Sequence, residues 1–395
     1  MKAPIYLDHL ATTPCDPRVV EALLPYLTDR FGNPGSRTHA YGWAAEEAVK
    51  LAREQVAAAL DATPREIIFT SGATEASNLA IKGVAEARLA RGRHVITQAT
   101  EHHAVLAPFE ALERHGFSVT RLPVDAVGRV DPGAVEAALR PDTVLVSLML
   151  ANNEIGTLQP VAEVAALCRA RDVLVHTDAA QAVGKIPVDV RALGVDLLSL
   201  SGHKIYGPKG IGALYVRHGA PRVAIVPQTH GGNQERGLRA GTLPVHQIVG
   251  LGEAMRLAGD LLADEGPRIA ALRDRLQAGI FAGLDGVTLN GPTEGRLPGA
   301  LNLSFDGVDG QGLIAAVRDL ALSSGSACMS DPPMPSHVLA ALGRSGEAVH
   351  ASLRFGLGRG TTEAEIDAAI DCVVAGVRGL RARRAGVHPR AESMR

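Results

Sequence analysis

The sequence predicts an α/β protein: a mostly parallel sheet in a large domain, with a smaller α+β domain beside it. Three observations predict this. Short apolar runs recur as far as Val216, and several lack polar alternation, as strands buried on both faces should. Helical stretches lie between most of them, which is the pattern of a sheet covered by helices on both faces. From about Glu265 the order changes to helix, strand, helix and strand.

Taken in order, Ile5-Tyr-Leu7 is expected to join the smaller domain. Asp16 is a good N-cap for a helix that ends before Phe31-Gly-Asn-Pro-Gly35. A second helix is expected over residues 43–60, with Ala45, Ala48, Val49, Ala52, Val56 and Leu60 on one face. The strand candidates are residues 66–70, 94–97, 143–150, 173–177, 195–200 and 212–216. Helices are expected at 73–91, 104–115, 132–140 and 161–171. After Thr242-Leu-Pro a long helix should run to roughly Leu262 and lead out of the large domain. Strands follow at 300–305 and 352–355. The expected division is therefore 15–264 for the large domain and 1–14 with 265–380 for the small one. Residues 381–395 have little apolar content and read as a disordered tail.

With 46% hydrophobic and 21% charged residues, the 395-residue chain can bury a sizeable core. Its 40 basic and 42 acidic residues leave a net charge of −2, so neither nucleic acid nor a membrane surface is indicated as a partner. The first residues, Met-Lys-Ala-Pro-Ile-Tyr-Leu-Asp, lack an apolar signal core, and no run approaches membrane-spanning length. A cytoplasmic protein is the expectation. Cys15, Cys168, Cys328 and Cys372 show neither CxxC nor metal-ligand spacing, so thiols and no metal are expected. Cys168 and Cys372 lie within helical patterns.

In open α/β sheets ligands bind outside the carboxyl ends of the strands. The unusual polar clusters fall at those ends: Thr70-Ser-Gly-Ala-Thr-Glu75, Thr100-Glu-His-His103, Asn152-Asn-Glu154, His176-Thr-Asp-Ala-Ala-Gln181 and Ser201-Gly-His-Lys204. Lys204, between polar and glycine-rich residues, can hold a carbonyl cofactor as a Schiff base. Asp178 offers a carboxylate to a ring nitrogen. Together they suit pyridoxal 5'-phosphate. Ser71-Gly-Ala-Thr74 offers backbone N–H groups at a helix start, where a phosphate is favoured, although the same residues also make a plain Ser N-cap aided by Glu75. Ser201 and His203 can add donors. His102 can stack on a ring and shuttle protons, or it can be structural.

With these residues in hand, the chain resembles pyridoxal-phosphate cysteine desulfurases of the NifS/IscS type, within the class V aminotransferase superfamily. The likeness runs from Tyr6-Leu-Asp-His-Leu-Ala-Thr-Thr-Pro14 to about Gly360. Its most specific pieces are Phe31-Gly-Asn-Pro34, Thr70-Ser-Gly-Ala-Thr-Glu75, Thr100-Glu-His102, Asn152-Asn-Glu-Ile-Gly156, Ser201-Gly-His-Lys-Ile-Tyr-Gly-Pro-Lys-Gly210, Arg239-Ala-Gly-Thr-Leu-Pro244 and Ser323-Ser-Gly-Ser-Ala-Cys328.

The resemblance implies a fold-type I pyridoxal-phosphate transferase with a mostly parallel seven-stranded sheet, and a role for each matching residue. Lys204 would form the Schiff base, Asp178 would hold the pyridinium, and Gln181 would donate to the ring oxygen. Asn153 would lie beside the ring and His102 would stack on it. Ala73, Thr74, Ser201, Gly202 and His203 would surround the phosphate. Thr242 would reach the phosphate of the partner subunit, which implies a homodimer. Arg354 would clamp the substrate carboxylate, with help from Asn33. Cys328 would take sulfur from L-cysteine as a persulfide, for an acceptor such as an iron–sulfur scaffold or sulfur carrier. Whether Cys328 ligates a cluster on such a partner is left open. The residues around Cys328 carry neither helix nor strand signal and read as a mobile loop, with a buried small hydrophobe as the alternative.

The chain also departs from the pattern. Leu10 stands where relatives usually carry a small residue, and Met329, Asp331 and Pro333 give the cysteine loop unusual content. The tail does not resemble the one with which housekeeping relatives grip an iron–sulfur scaffold. A selenocysteine lyase or aminotransferase on the same fold, or a non-enzymatic paralogue acting as an assembly partner, are the alternatives.

Overall fold

The structure is a computed structural model and describes residues 3–324, 335–344 and 346–386. A short strand β1 (Ile5–Tyr6) comes first. The large sheet is built from β2 (Ile67–Thr70), β3 (His94–Gln98), β4 (Ser118–Leu122), β5 (Thr143–Ser147), β6 (Leu174–Asp178), β7 (Leu197–Ser201) and β8 (Gly212–Val216), in the order β2-β8-β7-β6-β5-β3-β4. Neighbours from β4 to β7 are parallel. β8 runs antiparallel to both β7 and β2. The reason lies in the connection: residues 202–211 are too few for the helical crossover that a parallel partner needs. Strands β2 to β7 therefore share one direction, and their carboxyl ends meet at one edge.

Helices Ala73–Ala87, His103–Arg114, Pro132–Ala138 and Val161–Arg169 link these strands close to their expected positions. Apolar clusters fill both faces of the sheet, one around Ile96, Val146 and Leu198 and the other around Val95, Leu145 and Leu197. β4 escaped the sequence reading because it is an edge strand. Ser118 and Arg121 are exposed and only Leu122 is buried, so no apolar run marks it.

The N-terminal helix is broken in two, Pro17–Leu23 and Pro25–Thr28, with Pro25 opening the second piece. Asp16 caps the first through the N–H of Arg18 at 3.0 Å. The helix expected to end near Leu262 continues from Val245 to Gly283 through Pro267. An interior proline costs about 3 kcal/mol. Beyond it, Leu272, Leu276 and Ile280 are buried in a second core, and each such side chain contributes roughly 1.5–3 kcal/mol. Their burial outweighs the proline.

That second core underlies β9 (Val287–Leu289), β10 (Ala300–Phe305), β12 (Ser323–Ser324) and β13 (Ser352–Gly356), an antiparallel sheet in the order β12-β13-β10-β9. β11 (Leu320–Ala321) pairs with β1 in parallel. The last helix, Glu363–Gly386, includes residues 381–386, which the sequence reading gave to the tail. Among the described residues, no helix is long and apolar enough to cross a membrane.

Candidate active site

The strand-end clusters converge. A cavity of about 860 Å³ opens at the carboxyl edge of the large sheet. Its lining includes Ala73, Thr74, His102, Asn153, Asp178, Gln181, Ser201, His203, Lys204 and Arg354.

Lys204 sits in a tight turn between β7 and β8. Gly202 closes that turn, donating its N–H to Ile211 O at 2.9 Å and accepting from the N–H groups of Ile205 and Gly207. The N-terminal segment folds over it. Both the N–H and the hydroxyl of Thr13 donate to His203 O at 2.9 Å, and the hydroxyl accepts from Tyr206 N–H at 2.8 Å. Lys204 Nζ donates to the carbonyls of Leu10 and Ala11, each at 2.7 Å. Burial, reinforced by Arg354, pushes the Lys204 amine down to about 8, against the pull of Asp178 and Asp8. Leu10 buries its side chain in the main core and turns its carbonyl to the lysine.

Asp178 ends β6 with Oδ1 accepting from Ala180 N–H at 2.9 Å. Burial pushes its carboxyl up to about 6, although that N–H bond and Lys204 both oppose the rise. Gln181, one turn on, donates from Nε2 to Leu10 O at 2.9 Å and accepts at Oε1 from Lys185 at 2.7 Å.

At the other end of the cavity, the helix Ala73–Ala87 starts with Gly72 at its N-cap and no side-chain cap bond. The Ser71 cap considered as the bland alternative does not form. Glu75 takes the N–H of Ser71 at 2.6 Å and pairs with Arg239 at 2.8 Å instead. Gly72 has φ +151°, and its backbone lies so close to β8 that a Cβ on Gly212 would meet Gly72 Cα at 2.7 Å. Two glycines thus let the helix start sit tightly against the sheet. The uncapped N–H groups, with Ser201 and His203 beside them, form an anion cup.

His102 caps the helix His103–Arg114 by accepting from Ala104 N–H at Nδ1, 3.0 Å away. Burial first, then the Lys204 charge, push its imidazole down to about 4. It is a neutral ring whose accepting nitrogen is already engaged, which favours stacking over base catalysis. Arg354, on β13, donates from Nη2 to Asp8 Oδ1 at 2.9 Å and to Ser323 Oγ at 3.1 Å. Its Nη1 reaches Asn153 O at 3.2 Å, and its buried Nε has no partner among the described residues.

Three expected residues lie outside the cavity. Gly202 is behind it, with its N–H already bonded to Ile211 O, so it shapes the turn without touching an anion. Asn33 is exposed and makes a local turn, with Oδ1 accepting from Gly35 N–H at 2.9 Å. Thr242 is exposed as well. Cys328 lies outside the described residues. Conversely, Asp8 and Lys185 were not singled out from the sequence. Asp8 had a signal, a charge directly after Ile5-Tyr-Leu7; Lys185 had none beyond its nearness to Gln181.

The family model described as aminotransferase class-V matches residues 5–369. The chain belongs to the class-V aminotransferase family. It is 55% identical over 381 residues to a protein named cysteine desulfurase IscS from Methylococcus capsulatus, which spans 96% of this chain and 94% of that one. A solved structure titled NifS-like protein superposes with a TM-score of 0.89 at 38% identity, covering 95% of this chain and all of that one. A structure titled SspA in complex with cysteine gives 0.79 at 39% identity, covering 89% of this chain and 98% of that one.

Pyridoxal phosphate is the cofactor of this family, and the residues fit it. Lys204 offers the amine, Asp178 a buried carboxylate for the ring nitrogen, His102 a neutral face, and the uncapped helix start a place for the phosphate.

Proposed function

We propose that the chain is a cysteine desulfurase, converting L-cysteine to L-alanine and passing the sulfur to Cys328 as a persulfide. The observation that carries this reading is the meeting of Lys204, Asp178, Arg354 and an uncapped helix start in one cavity. The relatives' names and the cysteine bound by SspA point the same way.

Pyridoxal phosphate, when bound, supplies an electron sink for a carbanion at the substrate Cα. Asp178 would keep the ring nitrogen protonated through a charge-assisted bond, and Gln181 Nε2 would be the donor for the ring oxygen. The substrate carboxylate would be drawn by the guanidinium of Arg354, which lines the cavity. Lys204, with its amine held near 8, can take and return a proton close to neutral pH. In the net reaction the cysteine C–S bond breaks and a Cys328 S–S bond forms. The thiol protons are redistributed to the alanine methyl group and the persulfide, so no external oxidant is needed.

A homodimer is part of the proposal. Seven of the eleven large apolar side chains exposed among the described residues fall between Val20 and Leu51, including Leu24, Leu27, Phe31, Tyr41 and Trp43. That patch suits a second copy of the chain, and the exposed Thr242 would then reach the partner's phosphate. The sulfur acceptor would be a sulfur carrier or an iron–sulfur scaffold. Incubation with L-cysteine, followed by alanine assay and mass spectrometry of Cys328, tests the reading. Equal alanine and Cys328 persulfide are expected in the first turnover, and both should be lost on Cys328→Ser. Ample alanine with no sulfane sulfur on Cys328 would sink it.

A further inference from the structure

Behind Gln181 lies a second buried amine. Lys185 Nζ donates to Gln181 Oε1 at 2.7 Å, Gln181 Nε2 donates to Leu10 O at 2.9 Å, and Lys204 Nζ donates to that same carbonyl at 2.7 Å. The four groups form one hydrogen-bonded chain ending at the lysine of the cavity. Gln181 lines the cavity; Lys185 does not.

Nothing about the fold alone calls for an amine there. Among the described residues Lys185 has no carboxylate partner, and the charges that act on it, Lys204 and Arg354, are of its own sign. His9 and His203 also feel it, and both are pushed down by burial. Burial and those two cations hold the Lys185 amine at about 7. A buried ammonium without a counter-charge is destabilising, so a use for it elsewhere is expected.

The geometry supplies one. The two ends of a glutamine amide are nearly the same shape, so only its neighbours decide which faces where. Leu10 O can only accept, and the Lys185 ammonium, the form present below about 7, can only donate. Both demand the same orientation, Oε1 towards Lys185 and Nε2 towards the cavity.

We propose that Lys185 is a positioning residue that locks the Gln181 amide so that Nε2 is offered to the ring oxygen of bound pyridoxal phosphate. The inference rests on the assignment of Gln181 to that oxygen. Without Lys185, Leu10 O holds the amide alone, and a flip would set Oε1 against an anionic oxygen.

The test uses the full-length enzyme reconstituted with pyridoxal phosphate, titrating the visible absorption of the bound cofactor against pH. A donor at the ring oxygen favours the form in which that oxygen bears most negative charge, the deprotonated one. Its loss raises the midpoint. Lys185→Met should raise it by about half to one pH unit, the equivalent of one lost hydrogen bond. Gln181→Met should do the same, the double variant should match Gln181→Met alone, and Lys185→Arg should stay near wild type. If Gln181→Met moves the midpoint and Lys185→Met does not, the Lys185 proposal falls while Gln181 keeps its place. If Lys185→Met adds its full effect on top of Gln181→Met, Lys185 acts by charge alone and the proposal is overturned. An unmoved Gln181→Met removes the assignment on which the proposal stands. A purely scaffolding role would lower the melting temperature and leave the midpoint unchanged.

Discussion

Asp8 Oδ1 accepts from Arg354 Nη2 at 2.9 Å and ties the N-terminal segment to the guanidinium that faces the cavity. Asp8 Oδ2 accepts from Ser323 Oγ at 2.9 Å, and Ser323 Oγ also accepts from Nη2. One edge of Arg354 is thereby fixed, while Nε stays buried without a partner. Nη2 already gives both its hydrogens, so a substrate carboxylate held at two points would have to take over the place of Asp8.

Arg354→Lys keeps the charge and loses the planar fork. A charge-assisted hydrogen bond contributes about 1.5–3 kcal/mol, so kcat/KM for L-cysteine should fall roughly 10–100-fold, mainly through KM. Asp8→Asn should fall less, because an amide oxygen can still accept from Nη2. Steady-state kinetics of both variants decide the matter. Equal KM values across wild type and Arg354→Lys would remove Arg354 from the substrate.

Asp178 makes a stability prediction for the cofactor-free protein. Its carboxyl is held at about 6 in the fold, above the 3.8 of an exposed group. A raised carboxyl favours folding while protonated, so that contribution is complete below about 3.8 and is lost as pH rises through about 6. The loss is on the order of 3 kcal/mol. Asp178→Asn should therefore melt higher than wild type at pH 8 when cofactor-free, yet bind pyridoxal phosphate worse. Melting curves at pH 5 and pH 8 check the sign: the gap between variant and wild type should widen at the higher pH.

Much of this was legible in the sequence because strand ends announce themselves. Asp178, Ser201 and Lys204 each follow an apolar run directly, so a strand pattern and a polar cluster suffice to place them. Asp8 reaches the cavity by a different route, the parallel pairing of Tyr6 with Ala321, which no local pattern encodes. The Leu10 carbonyl that receives Lys204 is backbone, so its side chain gave no hint of it. Asn33 differs: its strong local signal describes a turn, and the structure shows it making that turn. Gly266 and Pro267 hid the continuation of the long helix, which depends on burial of residues further along.

Lys204 should load at lower pH than an ordinary lysine. Its amine is held near 8 against 10.5 when exposed, so the neutral, nucleophilic fraction at pH 7.5 is larger by roughly two orders of magnitude. The rate at which cofactor-free protein takes up pyridoxal phosphate should rise with pH and level off above a midpoint near 8. Stopped-flow absorbance measures it, with Lys204→Ala as the blank. A rate still climbing steeply at pH 10 would mean that the amine is not depressed.

A buried ion pair helps to tie down the region leading to Thr242, and that gives the last prediction. Arg53 meets both oxygens of Glu235 at 2.8 and 2.6 Å, and Glu235 also accepts from Phe69 N–H on β2 at 2.8 Å. The pair is nearly dry, with side-chain exposures of 14% and 1%. Glu235 and Arg236 both adopt positive φ, 44° and 58°, a conformation that costs about 1–3 kcal/mol for each non-glycine residue. The ion pair holds the turn in that conformation. Removing one partner leaves a buried charge and an unpaired N–H, so Glu235→Ala should lose about 3–5 kcal/mol of stability in chemical denaturation. Replacing both, as in Arg53→Met with Glu235→Met, should lose less than Glu235→Ala alone, because no charge is stranded. The same single variant should weaken pyridoxal phosphate retention if the turn presents Thr242 to a partner's phosphate. Retention equal to wild type in a folded Glu235→Ala dimer would separate the turn from the cofactor and leave the ion pair a matter of stability alone.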